Sequence, residues 1–305
     1  MEKYAIYLAL LLLCVVLAII TDKFLTIQNF KLILNQISIN GIMAIGVTFV
    51  LITAGIDISI GSVVGFAGVV AALTAPAGSS IPMVIPFLAA LGCGFAAGAI
   101  NGLLVTKGRL APYIVTLGMM TIMRGLSLIV SGGRPVSRLI GDFGFLGNNS
   151  LFSIPLPIYI YAIVAVVTHV ILTHLKIGRY VYAVGGNTNA AYASGISPDL
   201  IRFFVHVVSG TLAGLAGIIL ASRINTGHPN SGSGYELDAI AAAVVGGTSL
   251  AGGTGGIPGT VVGALIIGVL GNGLDLLAVS SYWQQVVKGL IIIASVLIDR
   301  NKKRQ

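Results

Sequence analysis

Four histidines, two cysteines and nine acidic side chains are all that this chain of 305 residues offers for acid–base, nucleophilic or metal chemistry. Their spacing argues against each in turn. His169 and His174 stand five apart, not the four that puts two ligands on one helical face, and His206 and His228 are isolated. Cys14 and Cys93 each sit inside an apolar run, where small packing residues belong. No Ser, His and carboxylate set stands out, and neither G-x-x-x-x-G-K-[ST] nor G-x-G-x-x-G occurs, so the chain itself cradles no ATP phosphates. We read no catalytic residue, no metal set, no cofactor in this chain and no enzyme.

What remains is a scatter of polar residues inside apolar stretches: Asn40, Asp57, Asn101, Arg124, Asn272, Asp275 and Lys288. Ionisable groups at membrane depth are expensive and face a cavity or a partner. Asn40, Asp57, Asn101 and Asn272 are the candidates for lining a translocation path. Asp57 has a second reading, in which it and Ser59 cap the helix that follows. Asn101 and Asn272 also have one, as hydrogen-bonding glue between helices. Arg124, near the middle of its apolar stretch, is expected to pair with a carboxylate or backbone carbonyls.

The elements that would hold these residues follow from composition. Hydrophobic residues make up 56% of the chain and charged residues only 9%, with a mean hydropathy of +1.01. Soluble domains carry roughly 25% charged residues, so this chain has too little charge to cover a surface in water. It reads as an all-α, polytopic membrane protein in a lipid bilayer. Ten spans are expected, some short or broken: 4–20, 30–53, 62–76, 82–106, 112–131, 157–173, 203–222, 239–250, 259–277 and 283–298. The first is an uncleaved helix, since no small-residue cleavage site follows it. The net charge of +8 comes from basic residues in short loops and the C-terminal tail, a pattern of membrane orientation and not of nucleic-acid binding. With both termini in the cytoplasm, Lys3, Lys107, Arg109, Lys176, Arg179, Arg202, Arg300, Lys302, Lys303 and Arg304 fall inside. Lys23, Lys31, Arg134, Arg138 and Arg223 fall outside, so the excess favours that topology.

One stretch breaks the apolar pattern: residues 174–197, HLKIGRYVYAVGGNTNAAYASGIS. A polar segment of this length must face water, and its basic residues place it on the cytoplasmic side. It is expected to be a handle, within 174–202, by which a cytoplasmic partner moves the membrane part. The largest external segment, 132–157, reads as an ordered loop with one short helix, too short for an independent binding domain. The whole of 1–305 is thus one membrane domain. Arg134, Arg138, Arg223 and Glu236 are the external charges available to an acidic or polar partner. Each has a plainer reading, as solvated loop charge or, for Glu236 and Asp238, as acid at a helix N-terminus. Glycines four apart (Gly61/Gly65, Gly94/Gly98/Gly102, Gly210/Gly214, Gly255/Gly259/Gly263) mark close helix packing. Residues 48–73 and 243–270 echo one another, each with a glycine-rich break between apolar runs.

The strings GIDISIGS (55–62), KGRLAPYIVTLGMMTIMRG (107–125), IGRYVYAVGGN (177–187), SGYELDAIAAAVVGGTSLAGG (233–253) and NGLDLLAVSSYWQQVVKG (272–289) resemble the ribose-type permease family of bacterial ABC sugar importers. The similarity runs from about residue 24 to 299. It implies the importer permease fold, in the bacterial cytoplasmic membrane, as a homodimer that takes a monosaccharide from an external sugar-binding protein. Two cytoplasmic ATPase subunits, holding ATP and Mg, would power it. Importer permeases also carry a cytoplasmic E-A-A-x-x-x-G segment that touches the ATPase. Here Asn189, Ala190, Ala191 and Gly195 fit that pattern behind Asn187, with Asn189 standing where glutamate is usual and no carboxylate available for its salt bridge. A bulky residue at Gly195 is then expected to abolish uptake without preventing membrane insertion. The competing class is an ion-gradient-driven secondary transporter or channel, which would need a mid-span carboxylate or histidine relay. Asp57 and Asp275 are its only candidates, and both lie near helix ends.

Overall fold

The computed structural model describes residues 2–302. Lys303 and Arg304, used in the orientation count, lie outside the described residues. The chain forms α1 (Glu2–Ile20), α2 (Ile27–Ile52), α3 (Ile60–Leu73), α4 (Val84–Thr106), α5 (Pro112–Ser131), α6 (Phe145–Asn148) and α7 (Leu156–His174). It continues through α8 (Lys176–Gly186), α9 (Thr188–Ala193), α10 (Pro198–Ile224), α11 (Tyr235–Val245), α12 (Ile257–Leu276) and α13 (Ser281–Lys302). Strand structure among the described residues is confined to one antiparallel pair, β1 (Ser150–Leu151) with β2 (Ile154–Pro155), and two isolated bridges.

Six of these helices (α2, α4, α5, α7, α10 and α12) are long and apolar enough to cross a membrane, which makes the chain all-α and polytopic. The expected count of ten is not reached on length and composition. The two terminal helices α1 and α13 are not among the six, nor are the two spans expected to be short, at 62–76 and 239–250, which are α3 and α11, of 14 and 11 residues beside glycine-rich breaks. At 1.5 Å per residue these reach about 21 and 17 Å, short of a 30 Å hydrocarbon core.

Two helices form the interior. The apolar stretch of α2 is 78% buried and that of α10 is 61% buried, against 22% for α7 and 28% for α5. Small residues make this possible. Gly94, Gly98 and Gly102 of α4 lie against Gly210, Gly214, His206 and Phe203 of α10, so at Gly94 and Gly98 backbone meets backbone, and at Gly102 the Phe203 ring also closes in. Leucine, isoleucine and valine on the outer faces of α1, α5 and α7 (Leu11, Ile19, Ile129, Ile163) stay exposed, as lipid-facing side chains do.

Segment 132–157, expected to be external, holds more than the expected single helix. It contains a 3₁₀ turn (Gly141–Gly144), α6 and the β1–β2 pair. Ser222, near the end of α10, anchors it: its Oγ donates to Phe143 O at 2.6 Å and accepts from Gly147 N at 2.8 Å. The two echoing units face each other, with Thr48 and Thr260 hydroxyls 2.7 Å apart. Their helix lengths run in opposite order, long–short in α2–α3 and short–long in α11–α12. The echo is one of breaks, not of direct repeats.

Candidate functional site

The polar stretch singled out in the sequence folds as α8 and α9, two short helices in place of a simple loop. Helix α8 is amphipathic: Gly178, Val181 and Val184 are buried, while Lys176 and Arg179 point outward. It is locked to the rest of the protein at its far end. The Tyr182 hydroxyl donates to Gly255 O at 2.9 Å, and burial pushes that phenol above its ordinary pKa. Gly185 lies directly on the Ile52 carbonyl, where α2 ends. That same carbonyl accepts from Gly253 N at 2.9 Å, so α8 sits where the two glycine-rich breaks meet.

Helix α9 is capped at both ends by its own sequence. Asn187 Oδ1 accepts from Ala190 N at 3.0 Å. At the other end Gly195 N donates to Tyr192 O (2.9 Å) and Ile196 N to Ala191 O (3.0 Å), the paired bonds of a left-handed glycine cap. Gly195 has φ +81°, which explains why glycine stands there. A Cβ on it would meet nothing within 4 Å, so substitution costs backbone strain and causes no clash. Ala191 faces inward, whereas Asn189, Ala190 and Tyr192 present an open face, with Tyr192 73% exposed. Between α9, the start of α10, the α4–α5 turn and residues 53–55 lies a cavity of about 820 Å³, lined among others by Thr53, Arg109, Asn189, Tyr192, Arg202 and His206.

The four path candidates are not brought together. Asp57 and Asn101 belong to one cluster beside the first break (residues 53–59). Asp57 Oδ1 accepts from Ser59 N (3.0 Å) and Ser59 Oγ (2.6 Å), and Asp57 Oδ2 accepts from Ser209 Oγ (2.8 Å). Asn101 Nδ2 donates to Ser59 Oγ at 3.0 Å. Asp57 therefore does order the entry to α3, through the Ser59 amide, and also reaches across to α10. Asn272 is on the other side, in a reciprocal pair with Asn29 (3.0 and 2.8 Å), both buried. This is the bonding of the second reading, hydrogen-bonding glue between helices α2 and α12. Asn40 is half-buried beside a cavity of about 30 Å³ that Asp238 and Lys288 also line, and its Oδ1 has no hydrogen-bond partner.

Of the charges expected on the outer side, Arg134 and Arg138 are exposed and Arg223 is partly covered by Gly147. Glu236 turns inward. Its Oε1 accepts from Gly234 N at 3.3 Å, and its Oε2 lies over Gly61, where only a glycine leaves room. Arg124 binds backbone carbonyls as expected, Pro229 O at 2.8 Å and Ser231 O at 3.1 Å. Among the described residues no group of His, Cys, Asp and Glu gathers to hold a metal.

Residues 29–296 match the family described as branched-chain amino acid transport system / permease component. The chain belongs to that permease family. It is 44% identical over 299 residues to the ribose import permease protein of Escherichia coli (strain K12), covering 97% of this chain and 92% of that one. It is 44% identical over 304 residues to the ribose import permease protein of Bacillus subtilis (strain 168), covering 99% and 94%. The D-allose transport system permease protein of E. coli K12 is 39% identical over 304 residues, covering 98% and 92%. No solved structure matches the chain.

Several residues that organise this permease escaped the sequence reading. Ser209 and His206 looked like ordinary members of an apolar span. Asp238 pairs with Lys288 at 2.8 Å, the one salt bridge found among the described residues, and only the presence of Lys288 in a span hinted at it. Asn29 carried no signal. Its pairing with Asn272 makes a direct prediction. Asn272→Leu leaves the buried Asn29 Oδ1 without its donor, while Asn29 Nδ2 keeps its bond to Phe24 O, at a cost of about 1–3 kcal/mol. Thermal unfolding in detergent should show a lowered midpoint, while Asn272→Gln, which keeps an amide, falls less.

Proposed function

We propose that this chain is the membrane-spanning permease subunit of an ATP-driven, binding-protein-dependent importer of ribose or a related monosaccharide. The observation that carries the reading is 44% identity to ribose import permeases across 92–94% of their lengths. The geometry agrees with it: a capped short helix, α9, offers an open face at the end of the longest interior helix. In this reading α8–α9 is the coupling element, and Asn187, Asn189, Ala190, Ala191 and Gly195 shape the surface that a cytoplasmic ABC ATPase subunit grips. ATP and Mg belong to that subunit. Arg134 and Arg138 would meet the external sugar-binding protein. Arg223 and Glu236, half-covered, support the outer surface from beneath.

Counting the short helices α3 and α11 with the eight longer ones gives ten crossings of one membrane domain in the bacterial inner membrane. Both termini are then cytoplasmic, in keeping with the excess of basic residues assigned to that side. Two copies would pair. A sugar hydroxyl loses hydrogen bonds worth a few kcal/mol on entering hydrocarbon, so a path with polar groups is required. ATP bound to the closed ATPase pair biases the two-faced equilibrium of the permease.

The test is purification of the tagged chain from its native membrane in mild detergent. An ABC ATPase is expected to accompany it, and to be lost when residues 186–196 are replaced by a Gly/Ser linker. A chain that emerges alone and moves ribose in vesicles without ATP would overturn the proposal.

A further inference from the structure

Helix α10 leaves the coupling element as one continuous rod. Ser197 Oγ caps it two residues after the Gly195 turn, and 27 residues give it a length of about 40 Å. Arg202, His206 and Ser209 stand at i, i+4 and i+7, on one face of that rod. Each is tied. Arg202 Nη2 donates to Thr188 Oγ1 at 3.0 Å, fastening the first turns of α10 to the first residue of α9. His206 Nδ1 donates to Arg202 O at 2.7 Å. Ser209 Oγ donates to Asp57 Oδ2 at 2.8 Å, across a sequence separation of 152 residues.

Asp57 is the hub of the first break. Its carboxylate is 1% exposed and takes all three of its hydrogen bonds from two serines. Asn101 of α4 joins through Ser59, and the Thr116 hydroxyl of α5 donates to Ile56 O at 3.2 Å. Residues 53–55 stay bonded to the end of α2, through Thr53, Ala54 and Gly55 N to Val50 and Leu51 O, whereas Ile56, Asp57 and Ser59 are tied by side-chain bonds that reach α4, α5 and α10. A buried carboxylate cannot lose a donor cheaply. It is therefore bound to follow Ser209 when α10 moves. Gly46 of α2 lies close by on the Ser209 backbone, where a Cβ would stand 3.1 Å from Ser209 Cα, which leaves little slack for independent motion.

We propose that the Ser209–Asp57 hydrogen bond is the joint through which displacement of α9 reaches the broken segment between α2 and α3. Ser209 is thus a positioning residue for transport. The proposal rests on the importer reading given above. The joint carries the stroke of the coupling element up α10 to the middle of the protein, where the backbone is free of helical constraint and able to shift.

The experiment uses the complete importer, reconstituted with its ATPase and binding protein in vesicles, and measures ribose moved per ATP hydrolysed. Ser209→Ala is expected to lower that ratio about five-fold or more. The yield of assembled complex, and hydrolysis without sugar, should stay at the wild-type level. Asp57→Asn is the conservative variant: its Oδ1 still accepts from Ser59 and its amide donates to the Ser209 hydroxyl, so it should retain most of the ratio. Asp57→Ala combined with Ser209→Ala should be no worse than Asp57→Ala alone. A wild-type ratio in Ser209→Ala, or a fall that only tracks loss of assembled complex, overturns the joint. Absence of sugar-stimulated hydrolysis in the wild-type complex would overturn the importer reading itself.

Discussion

Gly98→Leu should leave little folded protein in the membrane. The site is a contact between two backbones. A Cβ at Gly98 would lie 3.0 Å from His206 C and from Val207 Cα, and closer still to the His206 carbonyl oxygen. None of these atoms belongs to a side chain that can rotate away. The helices must part, and the neighbouring contacts of Gly94, Gly102, Gly210 and Gly214 part with them. Overpacking of even a yielding core costs about 1–3 kcal/mol. Here the whole interface between α4 and α10 is lost as well, in a solvent where apolar surface gains nothing by leaving lipid. Set against a total stability of about 5–15 kcal/mol, that is a large fraction. Size-exclusion of a fluorescently tagged chain in detergent should show the monodisperse peak nearly gone. Gly118→Ala is the control, because a Cβ there meets nothing within 4 Å and the residue is exposed on α5. A normal peak for Gly98→Leu would mean that α4 and α10 do not pack this closely.

The glycine register behind that prediction was visible in the sequence, because i, i+4 spacing is a local pattern with one common structural meaning. The exposed polar segment that folds as α8 and α9 was visible for a similar reason: a run of polar residues and glycines between apolar stretches has nowhere to go but water. What the sequence hid was partnership across long separations. Asn272 and Asp57 read alike as polar residues in spans. One faces Asn29 from 243 positions away and ties two helices, while the other faces Ser209 and sits at a bend. Periodicity says which face a residue is on but not what stands opposite. Glu236 shows the same limit. Its acidic character at a helix start fitted an outward role, yet the empty space over Gly61 draws it inward. The crossing count suffered from a different cause. The glycine-rich breaks at residues 53–59 and 246–256 were legible, but whether the short helices beside them cross a membrane is not decided by hydropathy, because α3 and α11 fall below the length that spans a hydrocarbon core.

Gly185→Leu should abolish ribose uptake while the chain still inserts and accumulates in the membrane. Within the chain itself, bulk meets backbone at this glycine and open space at Gly195. At Gly195 the space is open, so alanine there should cost about 1–2 kcal/mol of left-handed strain and leave α9 largely formed. At Gly185 a side chain would run into the Ile52 carbonyl and stand 2.8 Å from Gly253 N. Helix α8 would have to lift away from the end of α2, breaking the Tyr182–Gly255 bond and carrying α9 with it. Because α8 lies outside the six long membrane-crossing helices, their packing has no reason to fail. The Ile52 carbonyl also holds Gly253 N, so the displaced helix disturbs the point at which both glycine-rich breaks are tied. Transport driven through α8 and α9 would then push on a loose end. Uptake of labelled ribose in cells lacking other ribose permeases, normalised to membrane-inserted protein, checks this. Gly186→Ala, one residue along with open space around it, should transport normally. Wild-type uptake by Gly185→Leu would show that the end of α8 need not be held against α2 for the coupling element to work.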